Sequence, residues 1–198
     1  MISLILASGN AHKALEFKDL FQGVVEVQAA PSTLQVEESA ETYTENAFLK
    51  AKAYYDHFKK PAMADDSGLT IEALPELLGV QSARFAPELS TYKEKCERLL
   101  GMLEGVENRL AYFTCVLCFY LSPSEVYFFE GRLHGRIGHE LAGEGGFGYD
   151  PIFIPERKEE DGQSLAELPE WKNEFSHRAK ASQMALQFLK ETVDKIDK

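Results

Sequence analysis

Several short runs of the chain carry residue types that could bind phosphate. Ser8-Gly9-Asn10 follows an apolar segment and precedes a helical one, with Lys13 in the first turn of that helix. A strand, a turn containing glycine and a helix start leave unpaired backbone N–H groups directed at one place, which is how a backbone binds phosphate. The alternative is an asparagine cap beside a solvated lysine, since the full G-x-x-x-x-G-K-[ST] pattern is missing.

Adjacent carboxylates in Asp65-Asp66-Ser67-Gly68 indicate a possible metal site. They follow a short predicted strand, Ala62 to Ala64, and neighbouring side chains on extended backbone point to opposite faces. One carboxylate can therefore face a pocket while the other anchors the loop, and Gly68 permits a tight turn. Mg²⁺ usually takes one or two carboxylates and leaves its other positions to water and substrate phosphates. A solvated Asx turn is the other interpretation.

A third group of charged residues lies just before and within the helix predicted over about 43–58. An acidic run at 37–45, which includes Glu38, precedes and enters this helix, where carboxylates interact favourably with the helix dipole. Asn46 and Lys50 are four residues apart and share a face distinct from the apolar stripe. Lys50 has a functional meaning only if that face borders the same pocket as the paired carboxylates; otherwise it is a solvated lysine.

Two further groups lie in the last third of the chain. The run from Gly143 to Pro151 is too rich in glycine for a strand, and its Phe147 offers a flat face for stacking on a base. The alternative is an aromatic side chain that pins a loop. A final helix is predicted after Ser176, with His177 and Arg178 in its first turn. Because the dipole disfavours cations there, these two residues require an anionic or acceptor-rich partner.

An alternation of strands and helices must position these groups, which predicts a mixed α/β domain. The expected strands are 2–7, 24–29, 62–64, 110–121 and 125–133, and the expected helices are about 11–21, 43–58, 91–103 and the segment after 176. Thr42 and Thr91, each with a glutamate three residues later, predict capping boxes. The runs 110–121 and 125–133 should pair as a hairpin, whereas 163–174 is expected to be irregular.

Composition excludes several classes of protein. The 198 residues are 44% hydrophobic and 27% charged, which suffices for a core without disulfides or a structural metal. The net charge of −11 repels polyanions, so we expect neither a nucleic-acid polymer nor an anionic membrane as partner. The longest apolar stretch, Leu110 to Leu121, has about half the length of a membrane helix. Met1 to Ala7 lacks a basic leader, so a cytoplasmic location is expected.

The cysteines argue for a reducing compartment, because three is an odd number. Cys115 and Cys118 form a C-x-x-C, but they lie in a predicted strand, where residues three apart face opposite sides of the sheet. We therefore expect small buried hydrophobic side chains rather than a redox pair or zinc ligands.

Taken in chain order, these motifs resemble the inosine/xanthosine triphosphate pyrophosphatases, which clear non-standard purine nucleotides. The resemblance runs from residue 2 to about 189. Its motifs are Ala7-Ser8-Gly9-Asn10, Glu45-Asn46-Ala47, Ala64 to Leu69, Ser82-Ala83-Arg84, Gly146 to Pro151 and Ser176-His177-Arg178.

The resemblance implies a fold and an activity. The fold is an α/β one, an elongated mixed β-sheet with helices forming two lobes around a central nucleotide cleft, in a single domain over 1–198 that forms a homodimer. The activity is Mg²⁺-dependent hydrolysis of dITP, ITP and XTP to the monophosphate and pyrophosphate, which prevents their incorporation into DNA and RNA.

The resemblance also implies two sets of site residues. The phosphate and metal set is Ser8, Asn10, Lys13, Glu38, Lys50 and Asp66. The base set is Ser67, Phe147, Asp150, Lys172, His177 and Arg178. In the first set Glu38 and Asp66 would hold the metal, and Asp66 would also orient or deprotonate the attacking water. Ser8, Asn10, Lys13 and Lys50 would bind the phosphates. In the second set Phe147 would stack on the purine.

Two other functions share the same motifs, a non-catalytic nucleotide sensor and a house-cleaning pyrophosphatase for pyrimidine or other modified nucleotides. The chain also departs from the family pattern, since Leu78 and Gln81 stand where the family usually has proline and tyrosine. We expect this departure to affect the shape of that loop and not the metal or phosphate residues.

Overall fold

The computed structural model describes residues 2–159 and 161–196, in which strands and helices alternate as an α/β fold. The strands are β1 Ile2–Leu6, β2 Val25–Ala29, β3 Ala62–Ile71, β4 Leu110–Ser122, β5 Glu125–Ile137 and β6 Phe153–Pro155. The helices are α1 Ala11–Leu20, α2 Tyr43–Phe58, α3 Tyr92–Met102, α4 Pro169–Phe175 and α5 His177–Ile196. Short 3₁₀ helices cover Gly79–Arg84, Asp150–Ile152 and Leu165–Glu167.

Across the described residues, six strands form a sheet in the order β2-β1-β3-β4-β5-β6. β1 pairs parallel with β2, from Ile2 opposite Val25 to Leu6 opposite Ala29, and also parallel with β3. β5 pairs antiparallel with β6. β4 and β5 are neighbours joined by a two-residue turn, as the predicted hairpin requires. The prediction of a mixed α/β sheet is confirmed.

The chain divides into two units. The first unit comprises Met1–Asp66, Cys115–Gly131 and His177–Lys198, and the second comprises Ser67–Thr114 and Arg132–Ser176. In the second unit, β3 residues Leu69 and Ile71 pack with Leu99 of α3 and Leu165 in a single buried cluster. The domain boundaries and the nucleotide cleft implied by the resemblance stay predictions.

The first unit has a hydrophobic cluster on each face of its strands, because side chains alternate along an extended backbone. Met63 of β3 packs in the cluster that contains Phe17 of α1 and Ala181 of α5. Its neighbours Ala62 and Ala64 pack in the other cluster, with Ala47 and Ala51 of α2. Continuing this alternation places the next two residues, the paired aspartates, on opposite faces.

The cysteines follow the same alternation. Cys115 belongs to the cluster with α1 and α5, whereas Cys118 belongs to the cluster with α2. Both are thiols rather than halves of a disulfide and are fully buried, and burial raises the pKa of Cys118 to about 12. The expectation of small buried hydrophobic side chains is confirmed.

Helix ends agree with the sequence signals, with one difference. Thr91 and Glu94 form the complete capping box of α3. The Thr91 side chain accepts from the Glu94 N–H, and the Glu94 carboxylate accepts from the Thr91 N–H. At α2 the Thr42 hydroxyl accepts from the Glu45 N–H and donates to the Glu45 carboxylate, so the box is only half formed.

Two expectations about elements are wrong. The strand expected to stop at Ala64 continues to Ile71, so the paired aspartates and Gly68 lie in a strand and not in a tight turn. The neighbouring strands extend β3, and ion pairs to Lys13 and Lys50 compensate the burial of its two carboxylates. The segment expected to be irregular contains α4, whose first residue is Pro169, a residue whose fixed φ suits the first helical position.

Candidate functional site

The start of α1 holds the first predicted phosphate residues. Asn10 Oδ1 accepts from the N–H groups of His12 and Lys13 at 3.0 and 3.2 Å, and Ser8 Oγ accepts from the Asn10 N–H at 3.1 Å. Asn10 is therefore a helix cap, as the alternative interpretation proposed. Lys13 is not a solvated lysine, however, because its ammonium lies 2.7 Å from Asp65 Oδ2 and its side chain is only 17% exposed.

Asp65 lies on the α1 and α5 face of β3. Besides Lys13, its Oδ2 has the Nε of Arg178 at 3.7 Å, and Arg178 Nη1 in turn lies 3.1 Å from Glu16 Oε2. Burial opposes ionisation of Asp65, but the charges of Lys13, Arg178 and Lys50 outweigh it and hold the pKa of Asp65 well below its usual range. Arg178, a cation at a helix start, thus has the anionic partners that the sequence required.

Asp66 lies on the α2 face, where it shares a cation with Glu38. The Lys50 ammonium is 3.2 Å from Glu38 Oε2 and 3.5 Å from Asp66 Oδ1. The condition set by the sequence is met, since the Lys50 face of α2 borders the second aspartate. The prediction that the paired carboxylates point apart is confirmed.

The acids and Lys50 change one another's proton affinity. Burial lowers the pKa of Lys50, but the nearby carboxylates Asp65, Asp66 and Glu38 outweigh burial, so the net shift is upward and the ammonium stays charged. Burial raises the pKa of Asp66 to about 6, against the attraction of Lys50 and with the repulsion of the other two carboxylates. Asp66 therefore exchanges its proton closer to neutrality than an ordinary aspartate does.

The same residues fit a hard divalent cation. Asp66 Oδ2 is buried and has no hydrogen-bond partner among the described residues, and an unsatisfied buried carboxylate oxygen is a ready ligand position. Within the described part of the chain, no cluster of three or more His, Cys, Asp or Glu residues could enclose a metal. Glu38 and Asp66 would thus supply two carboxylates, the number that Mg²⁺ commonly takes from a protein.

The base set forms a cluster in the second unit. Asp150 Oδ2 accepts from the Phe147 N–H at 2.8 Å and from the Lys172 ammonium at 2.9 Å. That ammonium also lies 4.4 Å from the centre of the Phe147 ring, a cation–π geometry. The buried Lys172–Asp150 pair thus fixes both the backbone and the ring of Phe147.

The predicted base residues are divided between the units. Phe147, Asp150 and Lys172 come together in the second unit. Ser67 belongs to the same unit and is the first residue of its first segment. His177 and Arg178 belong to the first unit, in which Arg178 forms the contacts with Asp65 described above. The roles assigned to these residues toward a base stay predictions.

Gly146 makes the Phe147 turn possible, because it has a φ of +69° and a Cβ there would lie 2.3 Å from Asp150 Oδ2. We expect Gly146→Ala to displace Asp150 and to raise KM for a purine nucleotide at least tenfold. Gly162→Ala is the matched control, since its φ is +74° but nothing lies within 4 Å of the added carbon. Steady-state kinetics on both variants check this. A KM raised equally in both variants would show that backbone strain alone causes the effect.

The sequence analysis gave no role to three positions that support the site residues, although two of them lie in the quoted motifs. Ser82 Oγ accepts from the Leu69 N–H at 2.9 Å, and the Tyr149 hydroxyl donates to the Ser82 carbonyl at 2.7 Å, which ties the loop before Asp150 to β3. Gly131 of β5 lies against the first turn of α5. A lone glycine inside a strand pattern is a signal of close backbone approach and could have revealed Gly131.

The loop that departs from the family pattern has a defined shape. Leu78 is buried in the core of the second unit, and Gly79 has a φ of +61°, which starts the 3₁₀ helix Gly79–Arg84. A buried leucine thus stands where the family pattern has proline. The expectation that this departure leaves the metal and phosphate residues unaffected stays a prediction.

A mixed sheet flanked by helices, with lysines of α1 and α2 paired to carboxylates within β3 and beside a helix start, is typical of α/β proteins that bind phosphate ligands. The chain belongs to the Ham1 family, which it matches over residues 4–188. This confirms the resemblance found in the sequence.

Individual relatives agree over nearly the full length. A dITP/XTP pyrophosphatase of Aquifex aeolicus is 40% identical, with 96% of this chain and 97% of the relative covered. A dITP/XTP pyrophosphatase of Prochlorococcus marinus is 41% identical, with coverages of 98% and 95%. Among solved structures, a HAM1 protein from Coxiella burnetii superposes with a TM-score of 0.85 at 34% identity, covering 96% of this chain and all of that one (100%).

Proposed function

We propose that this chain hydrolyses dITP, ITP and XTP to the monophosphate and pyrophosphate, and so keeps these nucleotides out of DNA and RNA. The observation that carries the proposal is the position of the Lys50 ammonium, 3.2 Å from Glu38 and 3.5 Å from Asp66. Displacement at phosphorus needs charge neutralisation and a positioned water more than covalent catalysis, so two carboxylates and nearby lysines suffice. The names of the relatives point to the same activity.

Each residue of the first unit has a proposed part in the reaction. Lys13 and Lys50 neutralise the triphosphate, and the backbone N–H groups at the α1 start, with Ser8, add hydrogen bonds. Ionised Asp66 orients the attacking water and accepts its proton. Glu38 and Asp66 would hold Mg²⁺, which when bound supplies charge neutralisation at the phosphates.

Selectivity for the base is proposed to come from the residues of the predicted base set. Phe147 stacks on the purine, while Asp150, Lys172, His177 and Arg178 contact its edge, with Ser67 nearby. Donors directed at an oxo group on purine position 6 would face an amino group if ATP bound. Each buried donor left unpaired costs about 1 to 3 kcal/mol, which disfavours the common nucleotide.

The proposal includes a homodimer and a cytoplasmic location. Among the helices of the described residues, none has the length and hydrophobicity needed to cross a membrane.

Light scattering during size-exclusion chromatography measures the mass of the particle and so tests the dimer. We expect twice 22.2 kDa. A monomeric mass would contradict the dimer without affecting the proposed activity.

A nucleotide panel with separate detection of pyrophosphate and orthophosphate tests the activity. We expect pyrophosphate from dITP, ITP and XTP in the presence of Mg²⁺, little from ATP, and a loss of about a thousandfold in Asp66→Asn. Asp56→Asn changes an exposed aspartate of α2 and serves as the control. Binding of ITP without turnover would identify a nucleotide sensor, and preferred turnover of pyrimidine nucleotides would identify a different house-cleaning pyrophosphatase.

Metal binding is expected to depend on pH, because a proton and Mg²⁺ compete for Asp66, whose pKa is raised to about 6. Mg²⁺ should therefore raise the Tm of the wild-type protein at pH 8 and have little effect at pH 5. Thermal unfolding with a Mg²⁺ titration at both pH values measures this. Asp66→Asn should show little response at either pH, and an equal response of the wild type at pH 5 would contradict Asp66 as a ligand.

A further inference from the structure

Asp65 has no part in the proposed reaction, yet it is the more deeply buried of the two adjacent aspartates. Its side chain is 1% exposed and lies on the face of β3 opposite Asp66. A buried carboxylate is costly unless charged partners compensate it. The burial of Asp65, next in the strand to the predicted water-binding residue, therefore depends on its charged partners.

Those partners come from two different helices. Lys13 of α1 lies 2.7 Å from Asp65 Oδ2, and Arg178 of α5 lies 3.7 Å from the same oxygen. Both cations approach one atom, so the position of each depends on Asp65. Without that charge the two cations would repel each other across a buried space.

Arg178 is held from its other side as well. Its Nη1 lies 3.1 Å from Glu16 Oε2, and Glu16 is one helical turn from Lys13 on α1. The four side chains form a network of two acids and two cations across β3, α1 and α5. Such a network balances charge and fixes long flexible side chains that would otherwise sample many rotamers.

We propose that Asp65 is a positioning residue, which holds the phosphate-binding Lys13 and the Arg178 turn of α5 in one arrangement before the substrate arrives. The inference rests on the proposed function insofar as Lys13 binds the triphosphate. In this role Asp65 acts through the two cations and not by direct contact with substrate or metal. Its contribution is preorganisation, because a lysine already fixed loses less conformational freedom when phosphate binds.

A double-mutant cycle tests this assignment. Asp65→Asn, Lys13→Met and the double variant are compared in kcat/KM for ITP and, independently of turnover, in the affinity for inorganic tripolyphosphate measured by calorimetry. We expect Asp65→Asn to weaken tripolyphosphate binding at least tenfold, and the double variant to bind no worse than Lys13→Met. The exposed Lys52–Asp56 pair of α2 supplies the matched control, Asp56→Asn, with unchanged values.

The contrary outcomes are distinct. Tighter tripolyphosphate binding in Asp65→Asn would show that Asp65 only neutralises Lys13, and additive losses would show that it does not act through Lys13. Loss of Tm with normal binding would leave Asp65 a purely structural residue. Failure of the wild type to bind tripolyphosphate would also overturn the inference, whereas binding without hydrolysis of any nucleotide would overturn only the proposed function.

A second variant keeps the test decisive if Asp65→Asn does not fold. Glu16→Gln removes a charge that is 18% exposed and contacts Arg178. We expect a smaller loss of tripolyphosphate affinity, about threefold, which disappears in an Arg178→Met background. An unchanged affinity in Glu16→Gln would contradict the network.

Discussion

Asp66→Asn is expected to lower turnover about a thousandfold and at the same time to raise the Tm of the metal-free protein at pH 8. The physical reason is that burial raises the pKa of Asp66 to about 6 from its ordinary 3.8. Between these pH values the folded protein binds more protons than the unfolded chain. The free energy of unfolding therefore falls as the pH rises through this interval, and it stays reduced above it.

The size of the effect follows from the shift in pKa. A difference of about two units corresponds to about 3 kcal/mol of unfolding free energy at pH 8, which asparagine would restore because it mimics the protonated acid. For a chain of this size the Tm should rise by several degrees. Well below pH 3.8 the carboxyl is protonated in both states, so the difference in Tm between the two proteins should become small as the pH falls toward 4.

Thermal unfolding of both proteins from pH 4 to pH 8, with a chelator present, measures this difference. Asp56→Asn is the control, because that aspartate is exposed and its pKa is lowered by a hydrogen bond to Lys52. It should show no gain at pH 8. A gain for Asp66→Asn that is the same at pH 4 and pH 8 would assign the effect to packing and not to the carboxylate charge.

Gly131→Ala is expected to be the most damaging single change outside the ion pairs. A Cβ on Gly131 would lie 2.2 Å from the His177 carbonyl oxygen and 2.6 Å from the Ala181 nitrogen. Both atoms belong to the backbone of the α5 start and cannot rotate away. The helix must move, and overpacking of this kind costs about 1 to 3 kcal/mol or more.

The displaced helix start carries Arg178, which contacts Asp65. A shift of about 1 Å at a site can cost about a hundredfold in rate, so we expect a loss of this order in kcat/KM together with a lower Tm. Gly101→Ala in α3 is the control, because nothing lies within 4 Å of its added carbon and alanine favours a helix. Normal kinetics in a destabilised Gly131→Ala would show that the α5 start does not position the site.

Local signals predicted much of the fold. The period of two along β3 placed Asp65 and Asp66 on opposite faces, and the same rule separated Cys115 from Cys118. Threonine caps located the starts of α2 and α3. These features depend on residues close in the chain, so the sequence alone contains the information.

The partners of the charged residues could not be predicted in the same way. Nothing near Lys13 in the sequence identifies Asp65, 52 residues away, as its partner. The extension of β3 to Ile71 depends on its neighbours in the sheet, which outweigh the turn tendency of Asp-Asp-Ser-Gly. A glycine inside a strand pattern indicates a close backbone contact at Gly131, but the helix that packs against it lies far along the chain.

The sequence by itself determined the family, the mixed α/β class and the residue types that could handle phosphate and a cation. Only the tertiary structure decided that the pKa of Asp65 is lowered and that the pKa of Asp66 is raised. Two adjacent aspartates have the same local sequence, but burial and the number of cations within reach differ on the two faces of the strand. Proton affinity is set by that three-dimensional environment.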